Sequence, residues 1–234
     1  MSGEFRTVWA EPLTGFCQRV FEKMGVPTKD ASTTSEVLVM ADLRGIDSHG
    51  VARLRRYYTG LKNGVMVAKP TMKVVRETPI TALIDGGAAL GQVAGKWGME
   101  MAMDKALKSG LGFVSVGNSN HYGIAGYYSM MALKKDLMGI SLTNSDCYVV
   151  PTFGREVLLG TNPISVTVPT SKERPFVLDM STAVATLGKL EVYSRMGKKL
   201  PPGWATDERG KSCDDPIRVV NNIRGKAGGG ILPL

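Results

Sequence analysis

From Thr71 onward the sequence alternates short β-rich runs with helical ones, and this alternation constrains the fold more than any other feature of the chain. Residues 72–76 and 81–84 are β-rich, Asp85-Gly86-Gly87 is a turn, 91–108 has helical spacing, 112–116 is a strand, 121–135 a helix and 138–143 a strand. Three further strand-like runs follow at 157–159, 164–168 and 176–178, separated only by Gly, Pro and charged turns. Connections that short cannot carry the crossovers of a purely parallel sheet, so antiparallel or mixed pairing is expected. Residues 183–195 form a last clear helix. After it come Pro201-Pro202-Gly203, a polar 207–215 stretch and a glycine-rich lead-in to Ile231-Leu232-Pro233-Leu234, where another strand or helix is expected to begin.

The first seventy residues read differently. Leu13, Phe16, Cys17, Val20 and Phe21 recur at helical spacing over 10–24, which Gly25 and Pro27 stop. A second helix covers 28–43 and breaks at Gly45. A third covers 48–63, with Val51, Leu54, Tyr57, Tyr58 and Leu61 on one face and Gly64 as its cap. Residues 1–70 therefore read as a helical arm and 71–234 as a sheet-containing domain. The fold class is α+β.

Composition excludes several alternatives. At 234 residues, 43% hydrophobic and 21% charged, the chain has the make-up of a globular protein with a buried core, one large domain or two small ones. Its longest apolar runs fall far short of the ~20 residues of a membrane span. Residues 1–6 carry neither the apolar run nor the cleavage site of a secretory signal, so a cytoplasmic protein is expected. Cys17, Cys147 and Cys213 are odd in number and widely spaced, as reduced structural thiols would be. The net charge of +8 is dispersed, and its densest cluster, Arg53, Arg55, Arg56 and Lys62, reads as a solvated helix face rather than a phosphate footprint. No nucleic-acid partner is expected.

Nucleotide fingerprints fail. A G-x-G-x-x-G pattern would need Gly where Ala88 stands, and a phosphate loop ending at Lys211-Ser212 would need Gly where Ala205 stands. The joint from residues 81–85 through 86–90 into the helix at Gly91 is either an ordinary strand-turn-helix or a source of free N–H groups for a phosphate. The two histidines are more telling. His49 lies in Arg44-Gly45-Ile46-Asp47-Ser48-His49-Gly50, and His121 in Gly117-Asn118-Ser119-Asn120-His121-Tyr122-Gly123. An imidazole in such a polar, glycine-flanked segment either moves protons near neutrality or caps a helix locally. Metal ligation by two histidines so far apart is the weaker reading, and no metal is expected. Ser48 beside His49 lacks a G-x-S-x-G elbow, which disfavours acyl transfer. Thr143-Asn144-Ser145-Asp146, Gly160-Thr161-Asn162-Pro163 and Asp179-Met180-Ser181-Thr182 stand at strand ends, as ligand contacts or as turns.

Taken together, Leu43-Arg44-Gly45-Ile46-Asp47-Ser48-His49-Gly50-Val51-Ala52-Arg53, residues 117–128, Thr143-Asn144 with Val150-Pro151, Gly160-Thr161-Asn162-Pro163-Ile164 and Leu178-Asp179-Met180-Ser181 resemble the malate/L-lactate dehydrogenase family. That family also holds ureidoglycolate, sulfolactate and Δ1-piperideine-2-carboxylate oxidoreductases, and the resemblance runs from about residue 8 to the last. It implies hydride transfer between NAD or NADP and a small 2-hydroxy acid or its 2-oxo acid. It also implies a homodimer and a non-Rossmann dinucleotide-binding fold with a mixed, mainly antiparallel sheet. His121 matches the family's general acid/base. The resemblance gives the substrate carboxylate to Arg53, with Ser48, Tyr57 and Ser145 lining the same pocket. It gives the cofactor to His49, Asp179, Met180 and Ser181, with Thr161 as a further contact. Hydride transfer needs a held nicotinamide, a proton acceptor at the oxygen and a cation at the carboxylate, and this sequence offers a residue for each protein role. Family members continue past the point matching Leu234, so a chain shortened at its C-terminus is implied. The alternative is then a catalytically inactive fragment acting as a binding or dimerisation partner.

Overall fold

A computed structural model describes residues 7–234, so the N-terminal hexapeptide on which the signal-sequence reading rests lies outside the described residues. The chain forms two compact units. The first comprises Thr7–Ser141 and Val166–Leu178, the second Leu142–Ser165 and Asp179–Leu234. The cut drawn from sequence at residue 70 is a different one, because the three N-terminal helices share a unit with the first sheet.

In the first unit, α1 (Ala10–Lys23) buries Cys17 and Phe21, and a bond from the Val26 N–H to the Phe21 carbonyl closes its end before Pro27. Helix α2 (Thr28–Leu43) is buried on several sides. Its buried Ser35 and largely buried Thr34 hydroxyls donate back to the Ala31 and Asp30 carbonyls, each at 2.8 Å, which removes the cost of burying them. The third helix begins later than its apolar pattern suggests. Residues 48–50 are turn, Val51–Arg53 is one 3-10 turn, and α3 covers Leu54–Lys62. The Asp42 carboxylate accepts the Val51 N–H at 2.8 Å and Gly50 is extended, so Ser48 and His49 stay in a loop.

Strand β1 (Lys73–Glu77) pairs antiparallel with β2 (Thr81–Ala89), which continues through the glycines expected to end it. Helix α4 (Gly91–Ser109) then crosses to β3 (Phe113–Ser119), parallel to β2. This βαβ unit buries Ala82 and Ile84 and sets Gly98 of α4 against Val114 and Val116. Helix α5 (Ala125–Met131) starts four residues later than predicted, because Gly123 is left-handed at φ +82°, and His121 is left in the loop before it. The core of this unit gathers Cys17, Phe21, Leu38, Tyr57, Leu90 and Val93.

Strand β4 (Gly139–Leu142) begins a three-stranded sheet of order β4-β7-β8, with β7 (Ile164–Val168) and β8 (Phe176–Met180); the unit boundaries fall within these strands. The second unit adds β5 (Cys147–Val149), β6 (Leu159–Gly160), α6 (Leu187–Arg195), β9 (Ala205–Thr206), α7 (Pro216–Gly225) and β10 (Gly230–Ile231), with strand order β6-β5-β10-β9. The β5–β10 pair is parallel, while β5–β6 and β9–β10 are antiparallel. Helix α7 lies just beyond the stretch read as polar: Asp215 caps it through the Ile217 and Arg218 N–H groups, and Pro216 opens it. Val149, Leu190, Val219, Ile223 and Ile231 form this unit's core. Among the described residues no helix is long and apolar enough to cross a membrane.

Candidate functional site

The carboxyl ends of the parallel strands β2 and β3 are where a crossover fold leaves room for a ligand, and β3 runs from there into Asn118 and His121. The loop is tied down. Asn118, at φ +49°, donates to Asp85 Oδ1 at 2.8 Å, and Asn120 donates to the Ala88 and Ala89 carbonyls at 3.0 and 2.9 Å. Ala88 is itself left-handed at φ +56°. Strained backbone of this kind costs ~1–3 kcal/mol per residue and persists where surrounding bonds over-determine it. The start of α4 closes the loop from the other side: a Cβ at Gly91 would lie 2.0 Å from the Asn120 carbonyl oxygen and 2.6 Å from the His121 carbonyl. The α4 N-terminus is thus packed on the histidine loop.

His121 meets residues from the N-terminal helices. Its Nδ1 lies 2.6 Å from the Tyr57 hydroxyl on α3 and accepts the Gly123 N–H at 3.3 Å. Its ring stacks on His49, with centroids 5.5 Å apart and planes 16° from parallel. His49 Nδ1 is 2.9 Å from the Ser48 hydroxyl, and Arg53 Nε donates to the Ser48 carbonyl at 2.7 Å. Ser48, His49, Arg53, Tyr57 and His121, far apart in sequence, therefore form one cluster in the first unit. Tyr57 is fully buried in the helical core, and its hydroxyl faces His121.

Burial and cationic neighbours set the protonation of this cluster. Desolvation first, then Arg53 and Arg56, bring the His49 imidazole down to about 4. Desolvation, His49 and the same two arginines hold His121 well below its ordinary value. Both rings are neutral near pH 7. Burial pushes the Tyr57 hydroxyl up, outweighing Arg56, Gln92 and Arg53, so it keeps its proton. The fully buried Gln92 carboxamide, on the first turn of α4, lies near enough to act on that hydroxyl, yet its Nε2 and Oε1 make no hydrogen bond of normal geometry.

The other predicted residues all fall in the second unit, with Asp179 and Met180 at the end of β8. Thr161 is at the centre. Its N–H donates to Ser145 Oγ at 2.8 Å, and its hydroxyl lies 3.0 Å from that same oxygen. Its carbonyl accepts the Ser181 and Thr182 hydroxyls at 3.0 and 3.1 Å. Ser145, Thr161 and Ser181 thus stabilise one another, while Asp179 is half-buried and Met180 exposed. A separate cavity of about 810 Å³ in the first unit, lined by Glu77, Trp97, Glu100, Asp104 and Lys105 among others, holds none of the predicted residues. Sequence reasoning missed Gln92, for which an isolated glutamine in a helix gives no signal. It also missed Gly123, whose place two residues after His121 was the available clue.

Residues 8–234 match the profile of the family described as malate/L-lactate dehydrogenase. The chain is 49% identical over 224 residues to a malate dehydrogenase of Pyrococcus abyssi, covering 96% of this chain and 60% of that protein. It is 46% identical over 201 residues to an L-sulfolactate dehydrogenase of Methanocaldococcus jannaschii, covering 86% of this chain and 58% of that one. The crystal structure of a malate dehydrogenase from Entamoeba histolytica superposes with a TM-score of 0.95 at 36% identity, over 98% of this chain and 64% of the other. The chain therefore spans about 60% of the length of the relatives it matches.

Proposed function

Because the chain belongs to the malate/L-lactate dehydrogenase family, we propose that it transfers a hydride between a nicotinamide dinucleotide and a small 2-hydroxy acid or its 2-oxo acid. The observation that carries this reading is the neutral, desolvated His121 imidazole held between Tyr57 and His49 beside Arg53. The dinucleotide, when bound, supplies the hydride acceptor or donor. His121 takes the hydroxyl proton on oxidation and returns it on reduction. Its proton affinity, low in the free site, rises when an anionic substrate brings a carboxylate among the arginines. Arg53, fixed by its bond to the Ser48 carbonyl, holds that carboxylate, with Ser48 and His49 beside it. Arg53 and Arg56 both act on the two imidazoles, and a field of two cations suits a doubly charged acid of the malate or sulfolactate type.

The residues of the second cluster fit a dinucleotide. Asp179 offers a half-buried carboxylate to ribose hydroxyls, and Met180 an exposed apolar surface to a flat ring. Ser145, Thr161 and Ser181, bonded to one another, give the neighbouring loop its shape. A cytoplasmic homodimer is the working form we propose, supported by Leu83 and Phe113, which are exposed on the face of the β2–β3 pair turned away from α4.

The test is a fluorescence titration of the chain with NADH and then NADPH, following nicotinamide emission and tryptophan quenching, and then a turnover screen with malate, sulfolactate and lactate. Saturable binding of one dinucleotide with turnover of a 2-hydroxy acid is expected. A folded chain that binds neither dinucleotide overturns the reading.

A further inference from the structure

We propose that Tyr57 is a positioning residue: together with the Gly123 N–H it holds Nδ1 of His121 as an acceptor, so that the neutral ring carries its proton on Nε2. Three observations lead there. The Gly123 N–H is a backbone donor that cannot be turned round, and it is aimed at Nδ1 from 3.3 Å. A second donor, the Tyr57 hydroxyl, stands at 2.6 Å from the same nitrogen, and burial keeps it protonated, so it retains a hydrogen to give. The ring itself is held by stacking on His49, with centroids 5.5 Å apart and planes 16° from parallel, so Nδ1 stays facing these two donors. A nitrogen that accepts from two donors cannot also bear a proton.

The backbone enforces this arrangement. Gly123 is left-handed at φ +82°, and a Cβ there would stand 2.6 Å from Val37 Cγ1, so only glycine brings this N–H to the ring without strain. Tyr57 is fixed by its place in the helical core against Phe21, with ring centroids 6.4 Å apart. If the proposed function holds, Nε2 is the ring atom that meets substrate, and the free site is set to hydrogen-bond the carbonyl oxygen of a 2-oxo acid as a donor. Taking the hydroxyl proton of a 2-hydroxy acid then starts from the other tautomer, with Nδ1–H donating to the Tyr57 oxygen; these two steps alone rest on that reading.

The experiment is a long-range ¹H–¹⁵N correlation spectrum of the two imidazoles in the full chain near pH 7, with the His121→Ala spectrum assigning which signals belong to which ring. In the wild type a pyridine-type Nδ1 and a pyrrole-type Nε2 are expected for His121. In Tyr57→Phe, which keeps the ring and removes only the hydroxyl, both nitrogens should move toward the averaged shifts of mixed tautomers. A wild-type spectrum with the proton on Nδ1, or a folded Tyr57→Phe variant with an unchanged spectrum, overturns the proposal. Should Tyr57→Phe not fold, the wild-type spectrum still decides. The readout involves neither cofactor nor turnover, so an inactive chain would refute the proposed function and leave the tautomer standing, and the converse outcome would separate them equally well.

Discussion

The two clusters of candidate functional residues are built by opposite means. The one in the first unit consists of ionisable rings and a guanidinium pressed together: His49 on His121, Tyr57 on Nδ1, Arg53 on the Ser48 carbonyl. The one in the second unit consists of hydroxyls and a backbone carbonyl, with Ser145, Ser181 and Thr182 all bonded to Thr161. Burial acts strongly on the first, because moving a charge out of water is costly, and both imidazoles lose proton affinity there. Burial of neutral, mutually bonded hydroxyls costs little, so the second cluster fixes a shape without tuning any charge. A proton-transfer centre needs the first kind of construction, and a platform for an uncharged part of a ligand needs the second.

The largest effect that would sharpen this contrast comes from His121→Ala. With the proposed acid/base gone, turnover should fall by ~10²–10⁴. A dinucleotide titration should be nearly unchanged, since Thr161, Asp179, Met180 and Ser181 lie in the other cluster and His49, the one expected cofactor residue beside His121, is left in place. Full turnover in that variant would break the division of labour.

Next comes Gly123→Ala. A side chain at φ +82° facing Val37 should cost about 2 kcal/mol, read as a lower denaturant midpoint with an unchanged slope. A neutral result would mean the loop has slack, and the histidine would then not be held as described.

The pH dependence is of comparable size. Both imidazoles bind a proton less tightly in the fold than in the unfolded chain, so between about 6.5 and about 4 the unfolded state holds more protons. Stability should therefore fall as pH drops through that window, by about 3 kcal/mol at most for His49, whose part levels off below about 4. His49→Gln should flatten that part of a melting-temperature profile, whereas Thr161→Val should leave its slope alone.

The smallest effect belongs to Asp179→Ala, expected to weaken dinucleotide binding about tenfold, the worth of one charge-assisted hydrogen bond. The His121 spectrum should not move. A variant that changed both readouts would show that the two clusters are not independent.

Much of this was legible in the chain beforehand. Helices α1, α2 and α4 match their predicted spans to within a residue or so, because apolar spacing, Gly and Pro stops are local signals. The helices beginning at 48 and 121 were drawn too early for one shared reason. Apolar spacing continues upstream of the helix in both, but the Asp42 carboxylate from α2 redirects the first and the left-handed backbone at Gly123 the second, and the two histidines sit in the loops that result. Strands β5, β9 and β10 are two or three residues each and have no period to read; their partners make them strands.

The sequence by itself determined which residue types were at hand: two histidines in polar, glycine-flanked segments, an arginine one turn beyond the first, and hydroxyl-rich strand ends. The tertiary structure alone decided that the two imidazoles stack, that Tyr57 turns its hydroxyl to Nδ1 rather than to solvent, and that Gln92 lies buried beside it. Local sequence acts through backbone propensity over a few residues. A ring's proton is set by the donors and the dielectric within a few ångströms of it, and here those come from α3, α4 and the Gly123 backbone, which only packing brings together.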